Sequence, residues 1–221
     1  MKKLVIFGCG EIAELVHFYF TSDTNYEVVG FTVDQDYMPD DQTFCGLPVA
    51  AFETVDHQFP PRDCELFVAL SYTKVNKLRA AKFEAAKAKG FTLASYISSH
   101  ATVLTRGPIG ENSLILEDNT IQPFVRIGRN VTLWSGNHIG HHSTIGDHCF
   151  IASHVVVSGG VNVGEYSFIG VNATLRNGVS IGGGCVIGMG ANIQSNCEPN
   201  GVYPGVGSER AKIPANKLRN I

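Results

Sequence analysis

Five of the eight histidines fall in one short stretch, His138, His141, His142, His148 and His154. The core of it reads Ser135-Gly136-Asn137-His138-Ile139-Gly140-His141-His142-Ser143-Thr144-Ile145-Gly146-Asp147. Neutral imidazole is a common metal ligand. It is also a base of near-neutral pKa, suited to take the proton from an amine or hydroxyl that attacks a thioester. Each of the five taken singly reads first as a solvated surface residue, and the clustering weakens that reading for the group. A second group opens the chain, where Gly8-Cys9-Gly10-Glu11-Ile12-Ala13 follows the apolar run Leu4–Phe7. Glycine lets a backbone approach a phosphate, and a helix N-terminus adds positive potential. The same glycines also suit a tight strand-to-helix turn on steric grounds. Asp34, at the end of the next apolar run, is placed to accept a hydrogen bond from a ribose or base. A full dinucleotide domain needs about twice the length on offer, so a nucleotide-linked sugar fits this segment better than NAD.

The element that must carry the histidines is set by a period of six. From Ile97 through Val103, Ile109 and Ile115 to Ile187 and Ile193, every sixth residue is Ile, Val or Leu, without slip or insertion. Glycine often follows the aliphatic (Gly110, Gly128, Gly140, Gly146, Gly164, Gly170), and the fourth residue after it is small or Val (Ser113, Val131, Ser143, Cys149, Ala173). An amphipathic helix needs a period of 3.6 and does not tolerate this much glycine. A strand alternates with a period of two. Short strands joined by corners give six, one hexad per face and three faces per coil, with the aliphatic turned into a triangular prism and glycine easing the backbone where it turns. The histidines then sit on the outer surface or at corners, since Ile139 and Ile145 take the inward positions. The expected fold is thus mixed α/β and all-β: a small Rossmann-like α/β domain over residues 1–95, then a left-handed parallel β-helix with a C-terminal tail over 96–221.

The first half supports the α/β part. Leu4–Phe7 reads as a buried strand, a helix should follow with Ile12, Leu15, Val16 and Phe20 on its apolar side, and Tyr26–Phe31 and Leu66–Leu70 read as further strands. A helix through Val75, Leu78, Ala81 and Ala85 should stop at Gly90, and Phe91–Tyr96 should return as a strand. Charge is nearly balanced, 17 Lys and Arg against 20 Asp and Glu, which removes the electrostatic case for nucleic acid or an anionic membrane as partner. No stretch is long and apolar enough to span a bilayer. Six scattered cysteines without CxxC spacing point to buried thiols in a reducing, cytoplasmic setting. No metal is expected. Zinc ligation of the kind used by gamma-class carbonic anhydrases, which share the fold, needs ligands on separate coils, and two coils before His142 and His138 stand Arg106 and Thr102.

The strand–GCG–helix start, Asp34, the segment HIGHHSTIGD and the tail Gly201-Val202-Tyr203-Pro204-Gly205-Val206 together resemble a family: the sugar O- and N-acetyltransferases related to sialic acid O-acetyltransferase and the bacillosamine-pathway N-acetyltransferase. The resemblance covers essentially the whole chain. It implies an N-terminal domain that binds a nucleotide-linked amino sugar, at Gly8, Gly10 and Asp34, and a β-helix that forms a homotrimer and holds acetyl-CoA between neighbours. His141, two residues after Ile139 and five before Gly146, matches the family's catalytic histidine. Gly159, one coil on, matches the backbone amide near the thioester and is expected to be an exposed glycine, while Gly188 and Gly190 match glycines of the CoA groove. The family pattern has an acidic residue directly after the catalytic histidine and this chain has His142, so Asp147 or Asn137 could orient His141, with His142 in contact with substrate. The implied activity is acetyl-CoA-dependent N-acetylation of a nucleotide-linked deoxysugar. O-acetylation, a zinc protein of the carbonic anhydrase kind and a non-catalytic β-helix scaffold are the alternatives.

Overall fold

The structure, a computed structural model, describes residues 1–208 and 210. The end of the expected second domain, residue 209 and residues 211–221, lies outside the described residues.

The chain begins with β1 (Lys2–Phe7), α1 (Glu11–Asp23) and β2 (Tyr26–Val33), followed by β3 (Thr43–Phe44), β4 (Leu47–Ala51), a one-turn α2 (Val55–Gln58), β5 (Cys64–Val68) and α3 (Lys77–Ala88). These strands form one sheet in the order β3-β4-β2-β1-β5, with β4, β2, β1 and β5 parallel and β3 antiparallel at the edge. Leu4, Val5, Ile6 and Phe7 are all buried, as a central parallel strand covered on both faces must be. Leu4 and Ile6 pack with Ala13, Val16 and Phe20 of α1. Val5 and Phe7 point the other way, toward Phe83 and Ala86 of α3. Gly90, at φ +88°, ends the helical run where expected.

Two expectations for this half need correction. The buried face of α3 is Arg79, Ala80, Phe83 and Ala86, whereas Leu78 and Ala81 are exposed and Val75 lies before the helix. The apolar periodicity misplaces the face because a charged residue occupies its centre. Phe91–Tyr96 is not a continuous strand: Leu93 makes a single bridge to Leu66, and regular pairing resumes at Tyr96–Ile97.

From Tyr96 onward the chain winds as a parallel β-helix. Two-residue strands stack into three sheets of seven, six and four strands, hereafter the first, second and third faces. Each strand pairs with the one a full coil away: His138 with Thr120 and Val156, Thr144 with Arg126 and Asn162, Phe150 with Thr132 and Phe168. In every pair the partners are 18 residues apart (138 − 120, 144 − 126, 150 − 132), so three hexads make one coil. The aliphatics from Ile115 to Ile193 and the small residues between them form one buried column. Ile97 departs from the inward rule and is 41% exposed, because no coil precedes it on that side.

The corner geometry also differs from expectation. The positive-φ residue is the third after the aliphatic, as at Asn130, Gly136, His142, His148, His154 and Gly160. The glycine directly after the aliphatic answers a different demand, close approach of the next coil. A Cβ on Gly140 would stand 2.6 Å from the backbone N of Gly159, and one on Gly146 would stand 2.7 Å from that of Glu165.

Candidate functional site

In open parallel sheets a cleft forms at the C-terminal ends of the strands where neighbouring connections leave to opposite sides. That place here is the loop after β1, which has β2 on one side and β5 on the other. Gly8 has φ +129°, and a Cβ on it would stand 2.9 Å from the Ala69 carbonyl oxygen, so only glycine fits. Gly10 precedes α1 and its carbonyl accepts the Ala13 and Glu14 N–H groups at 2.9 and 3.1 Å, while the space beside its Cα is open.

Two adjoining clefts share this turn. The larger, about 700 Å³, lies between Gly8–Ile12, the loop Ala69–Tyr72 and the first face of the β-helix at Trp134, Phe150, Ala152, Phe168 and Val171. Tyr72 packs its ring 5.1 Å from Phe150 and 4.6 Å from Phe168. The smaller, about 510 Å³, gathers Gly8, Gly10, Asp34, Tyr37 and Lys82. Gly8, Gly10 and Asp34 thus meet around one opening. Asp34 is already paired there, its Oδ1 2.5 Å from Lys82 Nζ, and the ammonium lies 5.4 and 5.3 Å from the Phe7 and Phe52 ring centroids. Lys82 and the aromatic wall escape a reading of the sequence, although Phe150 and Phe168, one coil apart where a polar outward residue would be usual, were a usable signal. Glu11 and Glu14 sit in the first turn of α1, so their charges offset part of the positive end of the helix. Burial pushes the Cys9 thiol up to about 11, which keeps it protonated and removes it as a nucleophile.

His141 and His142 stand at another corner, between the second and third faces. Both are exposed. The His141 backbone N–H donates to Gln122 Oε1 at 2.9 Å, and the two Nδ1 atoms of the histidine pair are 3.1 Å apart. His142 lies against Phe124, one coil earlier, with ring centroids 4.6 Å apart. Gly159 is buried rather than exposed, because the imidazole covers it: a Cβ there would stand 2.6 Å from His141 Cε1, 2.7 Å from Nε2 and 3.0 Å from Asn177 Oδ1. Gly188 and Gly190 are elsewhere, at the corner between the first and second faces, where Gly190 N–H donates to the Val171 carbonyl at 2.8 Å beside the larger cleft.

The remaining candidates are engaged elsewhere. Asp147 Oδ2 accepts from Arg129 Nε and Nη2 at 3.0 and 2.7 Å. Asn137 Oδ1 accepts the Val155 N–H at 2.8 Å. Neither orients His141. His148 is not on the outer surface: it is buried beneath α3, stacked on Tyr166 at 4.8 Å, its Nδ1 2.9 Å from Asn130 Nδ2. Burial lowers its pKa below the usual histidine value. Beside it Arg79, only 1% exposed, donates to the carbonyls of Asn130, His148 and Cys149, to Thr132 Oγ1 and to Asn76 Oδ1. Burial pulls its pKa down to about 10, so it stays charged without a carboxylate. Among the described residues no three His, Cys, Asp or Glu side chains converge as a metal site, and no helix is long and apolar enough to cross a membrane.

A parallel sheet with helices on both faces, docked on a hexapeptide-repeat parallel β-helix and sharing a cleft with it, is the class this chain defines. The family model described as bacterial transferase hexapeptide (six repeats) matches residues 124–159 and 142–177. No curated protein sequence matches the chain. Among solved structures the chain is similar to a histidine-to-asparagine mutant of perosamine N-acetyltransferase from Caulobacter crescentus in complex with CoA and GDP-perosamine, with TM-score 0.77 and 24% identity over 91% of this chain and 93% of that one. It is also similar to WeeI from Acinetobacter baumannii AYE, with TM-score 0.78 and 19% identity over 93% and 97%. The acetyltransferase domain of PglB from Neisseria gonorrhoeae FA1090 aligns with TM-score 0.60 and 24% identity over 89% and 93%.

Proposed function

We propose that the chain transfers an acetyl group, or a close acyl relative, from acyl-CoA to the amino group of a nucleotide-linked deoxysugar, with His141 as general base. The observation that carries this is the pairing of a walled cleft at the Gly8–Gly10 turn with an exposed imidazole whose Nε2 edge lies over Gly159. The likeness to a perosamine N-acetyltransferase bound to CoA and GDP-perosamine supports the same substrates, and N- over O-acylation. In this reading residues 1–95 form a Rossmann-like acceptor-binding domain, 96–221 form a left-handed β-helix acyltransferase domain, and the protein works in the cytoplasm without a metal.

One chain does not bring acceptor and base together, since the cleft and His141 occupy different corners of the prism. A homotrimer does, if the His141 corner of one protomer meets the cleft corner of the next, with CoA along Gly159, Gly188 and Gly190 in the groove. Exposed apolar residues on both corners support the contact: Leu104 and Phe124 on one, Val171 and Met189 on the other. The amine nitrogen attacks the thioester carbonyl carbon and gives its proton to His141 Nε2. The Gly159 amide is the candidate donor to the oxyanion. Collapse breaks the C–S bond, and the proton passes to the sulfur, leaving an amide and a free thiol.

The test is thiol release from acetyl-CoA with a panel of amino-sugar nucleotides that includes GDP-perosamine. His141→Asn should lower turnover about 10²–10⁴-fold with assembly and CoA binding unchanged. Near-normal turnover would remove His141 as base, and no release by the native protein with any acceptor would leave only a scaffold. The nucleotide that raises the melting temperature identifies the acceptor class.

A further inference from the structure

We infer that His142 is the positioning residue for His141: it accepts the Nδ1–H of His141 and so leaves the Nε2 lone pair facing the reaction site. The inference rests on the reading of His141 as base. Two ring nitrogens 3.1 Å apart cannot both present lone pairs, so one proton lies between them. The ring planes stand 85° apart, with the two Nδ1 atoms facing each other. The Nε2 and Cε1 edge of His141 is turned over Gly159, so Nδ1 is the nitrogen that faces His142. The reverse tautomer would put the proton on Nε2 and leave no lone pair for the attacking amine.

His142 is braced for this role by the preceding coil. Its backbone takes the corner conformation, φ +59°, its N–H donates to the Pro123 carbonyl at 3.3 Å, and its ring lies against Phe124, tilted by 33°. Asp147 and Asn137 stand at other corners, committed to Arg129 and Val155, and of the amides at this corner Gln122 Oε1 takes the His141 backbone N–H while Asn177 Oδ1 lies on the Gly159 side of the ring. A neutral ring therefore does the orienting. It supplies a hydrogen bond to the imidazolium that forms during attack and no counter-charge.

Asn and Gly both tolerate positive φ, so His142→Asn keeps an acceptor at the corner and His142→Gly removes it without strain. Two-bond ¹⁵N–¹H spectra of the full chain labelled at histidine report the tautomer in the resting protein. The native protein and His142→Asn should show His141 protonated at Nδ1, and His142→Gly should move that proton to Nε2. With acetyl-CoA and GDP-perosamine, His142→Gly should lower kcat about tenfold or more with the KM for acetyl-CoA unchanged, and His142→Asn should restore most of it. A native His141 protonated at Nε2, or a tautomer indifferent to His142→Gly, overturns the proposal whether or not GDP-perosamine is turned over. Full activity of His141→Asn overturns the base reading instead, so the two failures are told apart.

Discussion

His142, His148 and His154 fall six residues apart, each at a positive-φ corner with φ 59°, 62° and 57°, a conformation in which His is enriched several-fold over most residues. Part of what reads as a chemical cluster in the sequence is therefore one corner position repeated along the winding. The repeat could be read from residue order, but not the fate of each ring. His141 and His142 stay exposed, whereas His148 is covered because α3 happens to dock on its corner. That burial has a consequence for pH. The folded pKa of His148 is depressed, so the unfolded chain binds the proton first and stability is lost as pH falls below about 6.5. His148→Asn, which suits the corner, should flatten the loss of unfolding free energy between about pH 6.5 and 5 seen in the native protein by denaturant titration. Equal slopes for the two would mean another group carries it.

At the level of elements, the β-helix was legible because its period is written in side-chain type, and β1, α1 and β2 because their apolar runs match their burial. Three features were not. Arg79 looks like a solvated charge on a helix, and only the facing carbonyls of the β-helix show why it is buried. The strands β3 and β4 lie in a stretch with little apolar alternation. The glycines that often follow the aliphatic were visible, but their cause was not, since it lies 19 residues away across the coil. That cause is testable. Gly140→Ala drives a methyl into the Gly159 backbone and should destabilise by about 1–3 kcal/mol, measured by urea unfolding. A neutral effect would show that the coils can part cheaply.

Over the whole molecule, the α/β sheet is fastened to the β-helix by polar groups at one corner. Val68 N–H donates to Asn112 Oδ1 at 2.7 Å, Arg79 grips Asn130 and His148, and Asn76 Nδ2 donates to the carbonyls of Tyr166 and Ser167. Arg79→Met would leave the Asn130 and His148 carbonyls without a donor and should cost about 3 kcal/mol or more. For a chain of this size that is a fall in Tm of about 6–12 °C, read by calorimetry, and an unchanged Tm would locate the fastening elsewhere. The sequence hides this join because its two sides are 44 to 91 residues apart.

Asn112, Asn130, His148 and Tyr166 are spaced by 18, so the first domain holds the winding like a hand closed on four consecutive rungs of a ladder. Rungs above Ser167 are outside that grasp. Duplicating 18 residues after Leu175 should therefore yield a taller ladder with its join intact, whereas the same duplication between Asn112 and Tyr166 would ask one hand to span five rungs.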